Sequence, residues 1–178
     1  MRIISGKYKG KILYAPKKLP VRPTTDMAKE GLFNILNNHY NFSNLSVIDL
    51  FAGTGNISYE FASRGTKDIT AVDGHYACLG YIKNVSKELN FTIETIKSDV
   101  YKYLEKSSSK ADLIFADPPY DFETEKFSKI AILVFEKNLL KDDGVLIIEH
   151  SKHTSLEETP HFSHSRKYGG SVFSFFEK

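Results

Sequence analysis

The stretch Val47-Ile48-Asp49-Leu50-Phe51-Ala52-Gly53-Thr54-Gly55 decides the fold. It begins as a short apolar run that contains one carboxylate, and two glycines follow directly. Segment 56–64 then repeats apolar residues at helical spacing, which predicts a strand, a glycine loop and a helix in succession. In open α/β sheets such a loop lies beyond the carboxyl end of its strand, where ligands bind.

The alternation of short apolar runs with helical segments continues along the chain and predicts a doubly wound α/β sheet. The predicted strands are 45–50, 69–72, 93–96, 112–116 and 145–148, and the later helices are 75–89, 99–106 and 123–138. Strands that are apolar on both faces and separated by helices favour a mostly parallel, Rossmann-like sheet. Near the end, Gly169-Gly170 between aromatic-rich runs predicts an antiparallel C-terminal hairpin.

Length and composition indicate one folded unit. The chain has 178 residues, of which 41% are hydrophobic and 26% charged, and this composition excludes an intrinsically disordered tail protein. The lone Cys78 excludes a disulfide scaffold and a zinc finger. Its helical spacing to Ile82, Val85 and Leu89 predicts a core position and not a nucleophile. Since the sequence shows neither an apolar run of roughly 18 residues nor a secretory signal segment, we expect a cytosolic protein. We also expect a monomer.

The basic charge is concentrated in the N-terminal part of the chain. Residues 1–30 hold eight of the 24 Lys and Arg residues but two of the 22 Asp and Glu residues, so the remainder is net acidic. We expect residues 1–40 to form a basic hairpin and a helix, capped at Thr24, Thr25 or Asp26, on a main domain of residues 41–178. Such an arm is a plausible phosphate-binding surface, and the alternative is a solvated flexible extension.

The residues around the glycine loop favour S-adenosylmethionine over a dinucleotide as cofactor. The dinucleotide fingerprint needs a third glycine where this chain has Ser58, and the Asp49 carboxylate would repel a pyrophosphate. The same carboxylate suits a ligand with an ammonium and a sulfonium group. Asp73 and Asp99 follow the next two strands and could bind the ribose and the adenine amino group, although such residues are more often turn or helix caps. The predicted cofactor-binding residues are Asp49, Phe51, Gly53, Thr54, Gly55, Asp73, Asp99 and Val100.

The segment Asp117-Pro118-Pro119-Tyr120 follows the fourth predicted strand and is the candidate catalytic segment. Two prolines hold the backbone extended and remove two N–H donors, which leaves carbonyl acceptors. If the Asp117 carboxylate and the Pro118 carbonyl accept the two hydrogens of an exocyclic amine, its nitrogen lone pair can face a sulfonium methyl group. Tyr120 would stack on the base. The structural alternative is a proline-stiffened turn.

Histidine pairs at 150/153 and 161/164 have a spacing that could bind a metal on a helix. No cysteine or carboxylate cluster accompanies them in the sequence, and they fall near a strand end and a predicted edge strand. We therefore expect solvated surface histidines and no metal site.

Taken together, these residues resemble an amino-directed methyltransferase, and the flanking motifs closely resemble the RsmD family. The matching segments are Arg2–Gly10, Arg22–Asp26, Glu30–Leu36, Asp49–Gly55, Ser63–Gly65, Ala116–Tyr120 and Tyr168-Gly169. The resemblance implies methylation of guanine N2 in small-subunit ribosomal RNA, at nucleotide 966 of 16S RNA, on a partly assembled small subunit. It also implies substrate-binding roles for Arg22 and Thr24, whose alternative role is an extended lead into the first helix.

For RNA binding we add four residues of the arm, namely Arg2, Lys7, Lys9 and Lys11. Lys29 departs from the arginine that is usual in the family, which puts any RNA contact there in doubt because lysine cannot copy a bidentate contact.

Two other functions stay open at the level of sequence. The Asp117–Tyr120 segment does not distinguish ring amines, so an N6-adenine DNA or RNA methyltransferase is one alternative. The other is a catalytically silent RNA-binding assembly factor that retains the fold.

Overall fold

The computed structural model describes residues 1–16, 19 and 24–178. Five helices lie in these ranges: α1 (Asp26–His39), α2 (Asn56–Ser63), α3 (Tyr76–Leu89), α4 (Val100–Lys106) and α5 (Thr124–Glu136). The strands are β1 (Ser46–Leu50), β2 (Asp68–Asp73), β3 (Glu94–Lys97), β4 (Ala111–Ala116), β5 (Leu140–Ser151), β6 (Phe162–Tyr168) and β7 (Ser171–Phe176). A short 3-10 helix, Phe42–Asn44, precedes β1.

Within the described residues the strands form one sheet in the order β3-β2-β1-β4-β5-β7-β6. The first five strands of this order are parallel, and β7 pairs antiparallel with both β5 and β6. The order confirms the predicted doubly wound sheet and its antiparallel C-terminal hairpin. Because β1 and β4 are central neighbours whose chains leave toward opposite edges of the sheet, their carboxyl ends meet where such folds bind ligands.

Apolar clusters cover the sheet. One includes Ile48, Ile114 and Ile148 with α4 and α5, and another includes Val47, Leu113 and Ile147 with α1 and α2. Cys78 is fully buried on α3, as its spacing predicted.

The N-terminal arm forms a narrow hairpin that packs on α2 and α3. Arg2 and Ile12 make an antiparallel bridge, and Ile3 N–H donates to the carbonyl of Lys11 at 2.9 Å. Ile3 and Leu13 enter a third apolar cluster together with residues of α2 and α3. Gly6, with φ +83°, comes so close to Ser63 that a Cβ would lie 2.0 Å from its carbonyl oxygen. The arm is therefore seated on the sheet-covering helices by close backbone contact.

A buried ion cluster joins the arm to α1 and α2. Lys29 lies 3.5 Å from Glu60, and both side chains are almost fully buried. The Glu60 carboxylate also accepts hydrogen bonds from Ile4 N–H and Ser5 N–H and pairs with Arg64. Burial lowers the pKa of Lys29, and Glu60 opposes that shift. Lys29 thus joins the arm to α1 and α2 and does not face solvent.

The structure corrects two sequence predictions around β5. This strand covers residues 140–151, not 145–148, because a register shift against β4 lets the polar segment before Gly144 join the sheet. His150 was expected on the solvated surface, and that prediction is wrong. It is 2% exposed, and its Nε2 lies 2.8 Å from Ser174 Oγ on the neighbouring strand. The strand continues past its apolar run and is covered there by Phe127 of α5.

Among the described residues, no helix is long and apolar enough to cross a membrane. The same residues contain no cluster of three or more His, Cys, Asp or Glu side chains that could hold a metal ion.

Candidate active site

A cavity of about 590 Å³ lies across the carboxyl ends of β1 and β4, a size in the range of small-ligand sites. The ends of β1 and β4 are joined by a backbone hydrogen bond, in which Asp117 N–H donates to the Leu50 carbonyl at 3.3 Å. The predicted glycine loop and the predicted catalytic segment therefore face the same space. Its lining includes Asp49, Phe51, Gly53, Thr54, Asp73, Asp99, Val100, Asp117, Pro118, Pro119 and Tyr120.

Asp49 lies at the buried end of the cavity and holds the start of α2. Its Oδ2 accepts hydrogen bonds from Ser58 N–H at 3.1 Å and from Ser58 Oγ at 2.5 Å. Burial raises the pKa of Asp49 to about 7, although the bonds from Ser58 oppose the shift and the charge of Asp73 adds to it. A cation placed beside Asp49 would therefore stabilise the ionised form of its carboxyl group.

The glycine loop has the backbone geometry that its sequence predicted, but its two glycines serve different purposes. Gly53 (φ +53°) lines the cavity, and its N–H donates to Asp73 Oδ2 at 2.8 Å. Gly55 (φ +83°) is the N-cap of α2 and is not part of the lining. A Cβ there would lie 2.7 Å from the Tyr59 ring, so this glycine permits close packing of the loop.

Phe51 also adopts a left-handed backbone conformation, with φ +57°. This is rare for a bulky residue and occurs mainly at functional sites. Its ring packs edge-on against Tyr101 and Phe122, with ring centroids 6.5 and 6.2 Å away. The strained turn thus places an aromatic wall beside the cavity.

Asp73 and Asp99 line the cavity and have structural partners as well. Asp73 accepts hydrogen bonds from the backbone N–H groups of Gly53 and His75. Asp99 is the N-cap of α4, where its Oδ1 accepts from Lys102 N–H at 3.0 Å. Asp99 therefore acts as a helix cap, which was the alternative to cofactor binding. Because it also lines the cavity, its role in binding the adenine amino group stays a prediction.

The candidate catalytic segment is fixed through a buried carboxylate, Glu149, that was not predicted from the sequence. The Tyr120 hydroxyl donates to Glu149 Oε1 at 2.8 Å and lies 2.9 Å from Ser171 Oγ. Glu149 Oε2 accepts a hydrogen bond from Thr24 Oγ1 at 2.6 Å. Burial, followed by the charge of Glu149, raises the pKa of Tyr120. Glu149 therefore connects the loop after β4 to the segment that leads into α1.

The missed residues Glu149 and Ser171 lie at strand ends, as the predicted site residues do. Glu149 directly follows the apolar run of β5, a position equivalent to that of Asp117 after β4. A carboxylate after each parallel strand is a signal that could have identified Glu149. Ser171 begins β7, and no sequence pattern points to it.

The four predicted substrate-binding residues of the arm do not line the cavity. Arg2 is paired with Asp26 at 3.1 Å, and Lys11 with Glu88 at 2.8 Å. Lys7 and Lys9 are exposed on the arm and line no part of the cavity. Arg22 lies outside the described residues. Thr24, in contrast, lines the cavity and is buried.

The cavity is acidic. Among the described residues its lining includes no lysine or arginine but six carboxylates, those of Asp49, Asp73, Asp99, Asp117, Asp121 and Glu149. This charge attracts a cationic ligand and repels the phosphates of a dinucleotide.

Comparisons with known proteins agree with the fold. The profile of a family described as conserved hypothetical protein 95 matches residues 1–177. The ribosomal RNA small subunit methyltransferase D of Buchnera aphidicola subsp. Acyrthosiphon pisum is 33% identical over 157 residues, which cover 86% of this chain and 80% of the relative.

Two solved structures share the fold. A hypothetical protein of Thermus thermophilus superposes with a TM-score of 0.86 at 22% identity and covers 100% of this chain and 99% of its own. A 16S rRNA N2 G1207 methyltransferase of Thermus thermophilus, in complex with AdoMet and guanosine, superposes with a TM-score of 0.69 at 19% identity. That match covers 90% of this chain and 45% of the other. Because the family profile matches nearly the full length of this chain, the chain belongs to the RsmD family of ribosomal RNA methyltransferases.

Proposed function

We propose that this protein transfers a methyl group from S-adenosylmethionine to the exocyclic N2 of a guanine in small-subunit ribosomal RNA. The observation that carries the proposal is the single acidic cavity shared by the glycine loop and the Asp117–Tyr120 segment. A cofactor site next to acceptors for an amine is what methyl transfer to a base requires.

The side chains of the cavity fit S-adenosylmethionine. When bound, this cofactor supplies an electrophilic methyl carbon on a sulfonium. Asp49 would neutralise its positive charge, Asp73 would accept hydrogen bonds from ribose hydroxyls, and Asp99 would accept one from the adenine amino group. The absence of lysine and arginine from the described lining supports a cation in preference to NAD.

Asp117 and Pro118 would prepare the amine for attack. An amine conjugated to a base ring is a poor nucleophile because its lone pair is delocalised. When the Asp117 carboxylate and the Pro118 carbonyl accept its two hydrogens, the nitrogen can pyramidalise and direct its lone pair toward the methyl carbon. The new N–C bond forms as the C–S bond breaks, and Asp117 or water takes the proton that the cationic amine releases.

Tyr120 would support the flipped base from a fixed position. Its hydroxyl is held by Glu149 and Ser171, so the ring is in place before the RNA arrives. Stacking contributes about 1–3 kcal/mol per base, and this offsets much of the few kcal/mol that flipping costs. Preorganisation reduces the free energy that must be spent on ordering the loop.

Guanine and the ribosomal substrate are supported by relatedness. The Buchnera relative is named as acting on small-subunit ribosomal RNA, and the second Thermus structure is named as an N2 methyltransferase of 16S rRNA. By the family resemblance we assign nucleotide 966 of 16S RNA, on a partly assembled subunit. A cytosolic monomer and RNA binding by Arg2, Arg22 and the arm lysines stay predictions.

An Asp117→Ala variant separates the proposed chemistry from cofactor binding. We expect methyl transfer to ribosomal RNA to be abolished and the dissociation constant for S-adenosylmethionine to stay within a few-fold of the wild-type value. Transfer is followed with labelled methyl groups, and binding by calorimetry. A large loss of cofactor affinity, or transfer that survives the substitution, would show that Asp117 does not have the proposed role.

A further inference from the structure

A second, smaller cavity of about 250 Å³ adjoins the candidate active site. It shares Thr25, Tyr120 and Ser171 with the larger cavity. Its remaining wall comes from α1, from the end of β5 with the two residues that follow it, and from the β6–β7 turn. These residues are Met27, Ser151, Lys152, His153, Tyr168, Gly169 and Gly170.

The backbone places Lys152 close to Tyr120. Ser151 is the residue opposite Ser171 in the β5–β7 pairing, and Ser171 Oγ lies 2.9 Å from the Tyr120 hydroxyl. Lys152 follows next, and its N–H donates to the Gly170 carbonyl at 3.2 Å. Lys152 is thus one residue beyond a strand pair that contacts the catalytic segment.

The two cavities have opposite charge. The described lining of the smaller cavity contains Lys152 and His153 and no Asp or Glu, whereas six carboxylates line the larger one. Lys152 is exposed and forms no ion pair with any described residue. By comparison, the arm residues Arg2 and Lys11 are already paired with carboxylates of this chain.

A nucleotide whose base enters the larger cavity carries phosphates that this cavity repels. These phosphates remain within one nucleotide of Tyr120, because the flipped base stays covalently attached to the strand. We infer that the smaller cavity binds the phosphodiester next to the flipped guanine and that Lys152 supplies the positive charge. The inference rests on the proposed function, and it assigns to RNA a surface that adjoins the larger cavity at Tyr120 and contains no residue of the glycine loop.

A Lys152→Ala variant tests the site, with Lys67→Ala as a matched control. Lys67 is also exposed, but it precedes β2 and so lies at the amino-end edge of the parallel strands, away from both cavities. The probe is small-subunit ribosomal RNA from cells that lack this gene, and its affinity is measured over a range of salt concentrations. Loss of one single-strand phosphate contact predicts a salt slope that is smaller by about 0.7.

We also expect Lys152→Ala to weaken RNA binding about tenfold at low salt, as the loss of one hydrogen bond to a charged group predicts. Affinity for S-adenosylmethionine should be unchanged, and Lys67→Ala should match the wild type. Equal salt slopes for the Lys152 and Lys67 variants would overturn the inference. Methyl transfer by the wild type would in that case still support the proposed function. Absence of transfer by the wild type to any RNA would overturn the proposed function itself.

Discussion

The ionisation of Asp49 should make cofactor affinity depend on pH. In the free protein burial raises the pKa of Asp49 to about 7, so the carboxyl is largely protonated in mildly acidic solution. A cationic ligand beside it favours the ionised form, and binding at low pH must therefore release a proton. Affinity should be full above pH 7 and should be lost as the pH falls through that value.

The magnitude follows from the fraction of protein with Asp49 ionised. That fraction is about one half at pH 7 and about 3% at pH 5.5, which predicts a dissociation constant about 15-fold higher at pH 5.5. The α-amino group of the ligand stays mainly protonated below pH 7, since such groups titrate near 7.7–8.0. Its own titration therefore adds little over this interval.

The assay is calorimetric titration of S-adenosylmethionine at pH 5.5, 6.2 and 7.0, with wild-type protein and the Asp49→Asn variant. The amide oxygen of that variant can still accept the bonds from Ser58, and its affinity should be weak and nearly independent of pH. His75 also lines the cavity. A His75→Gln variant should keep the pH dependence. The reasoning is refuted if wild-type affinity is flat, or if His75→Gln abolishes the dependence and Asp49→Asn retains it.

Two further substitutions probe the network around the site. Glu149→Gln replaces the charged acceptor of the Tyr120 hydroxyl with a neutral one. Because a hydrogen bond to a charged group contributes about 1.5–3 kcal/mol, kcat should fall about tenfold or more while cofactor affinity stays within a few-fold. An unchanged kcat would exclude a positioning role for Glu149. Lys29→Ala leaves the buried Glu60 charge without this partner and should reduce the free energy of unfolding in urea by about 3 kcal/mol. If Lys29→Ala reduced the free energy of unfolding no more than the exposed Lys67→Ala variant does, the structural role of Lys29 would be contradicted.

The elements of the sheet and the central residues of the site could be predicted because they depend on local patterns. Apolar runs predicted the parallel strands. The carboxyl ends of parallel strands lie at one edge of a sheet, and Asp49 and Asp117 were both expected there. The Gly169-Gly170 turn likewise predicted the final hairpin. These features need no knowledge of distant contacts.

Other features depend on pairings between residues far apart in the chain. Glu149 and Ser171 are 29 and 51 residues from Tyr120, and their contacts exist because β5 and β7 are neighbours. His150 was expected on the surface because it lies near the end of a predicted strand, yet β7 and α5 cover it. A solvated flexible extension was the alternative for the arm, but its backbone is fastened to Glu60 and Ser63 on α2. No local pattern reports these contacts.

The most direct measurement is the identity of the nucleoside that this protein methylates. Purified protein is incubated with labelled S-adenosylmethionine and small-subunit ribosomal RNA or particles from cells lacking the gene, and the digested RNA is analysed by mass spectrometry. We predict label in N2-methylguanosine at one site, and none with Asp117→Ala. Label in N6-methyladenosine, or RNA that is bound without being methylated, would contradict the account.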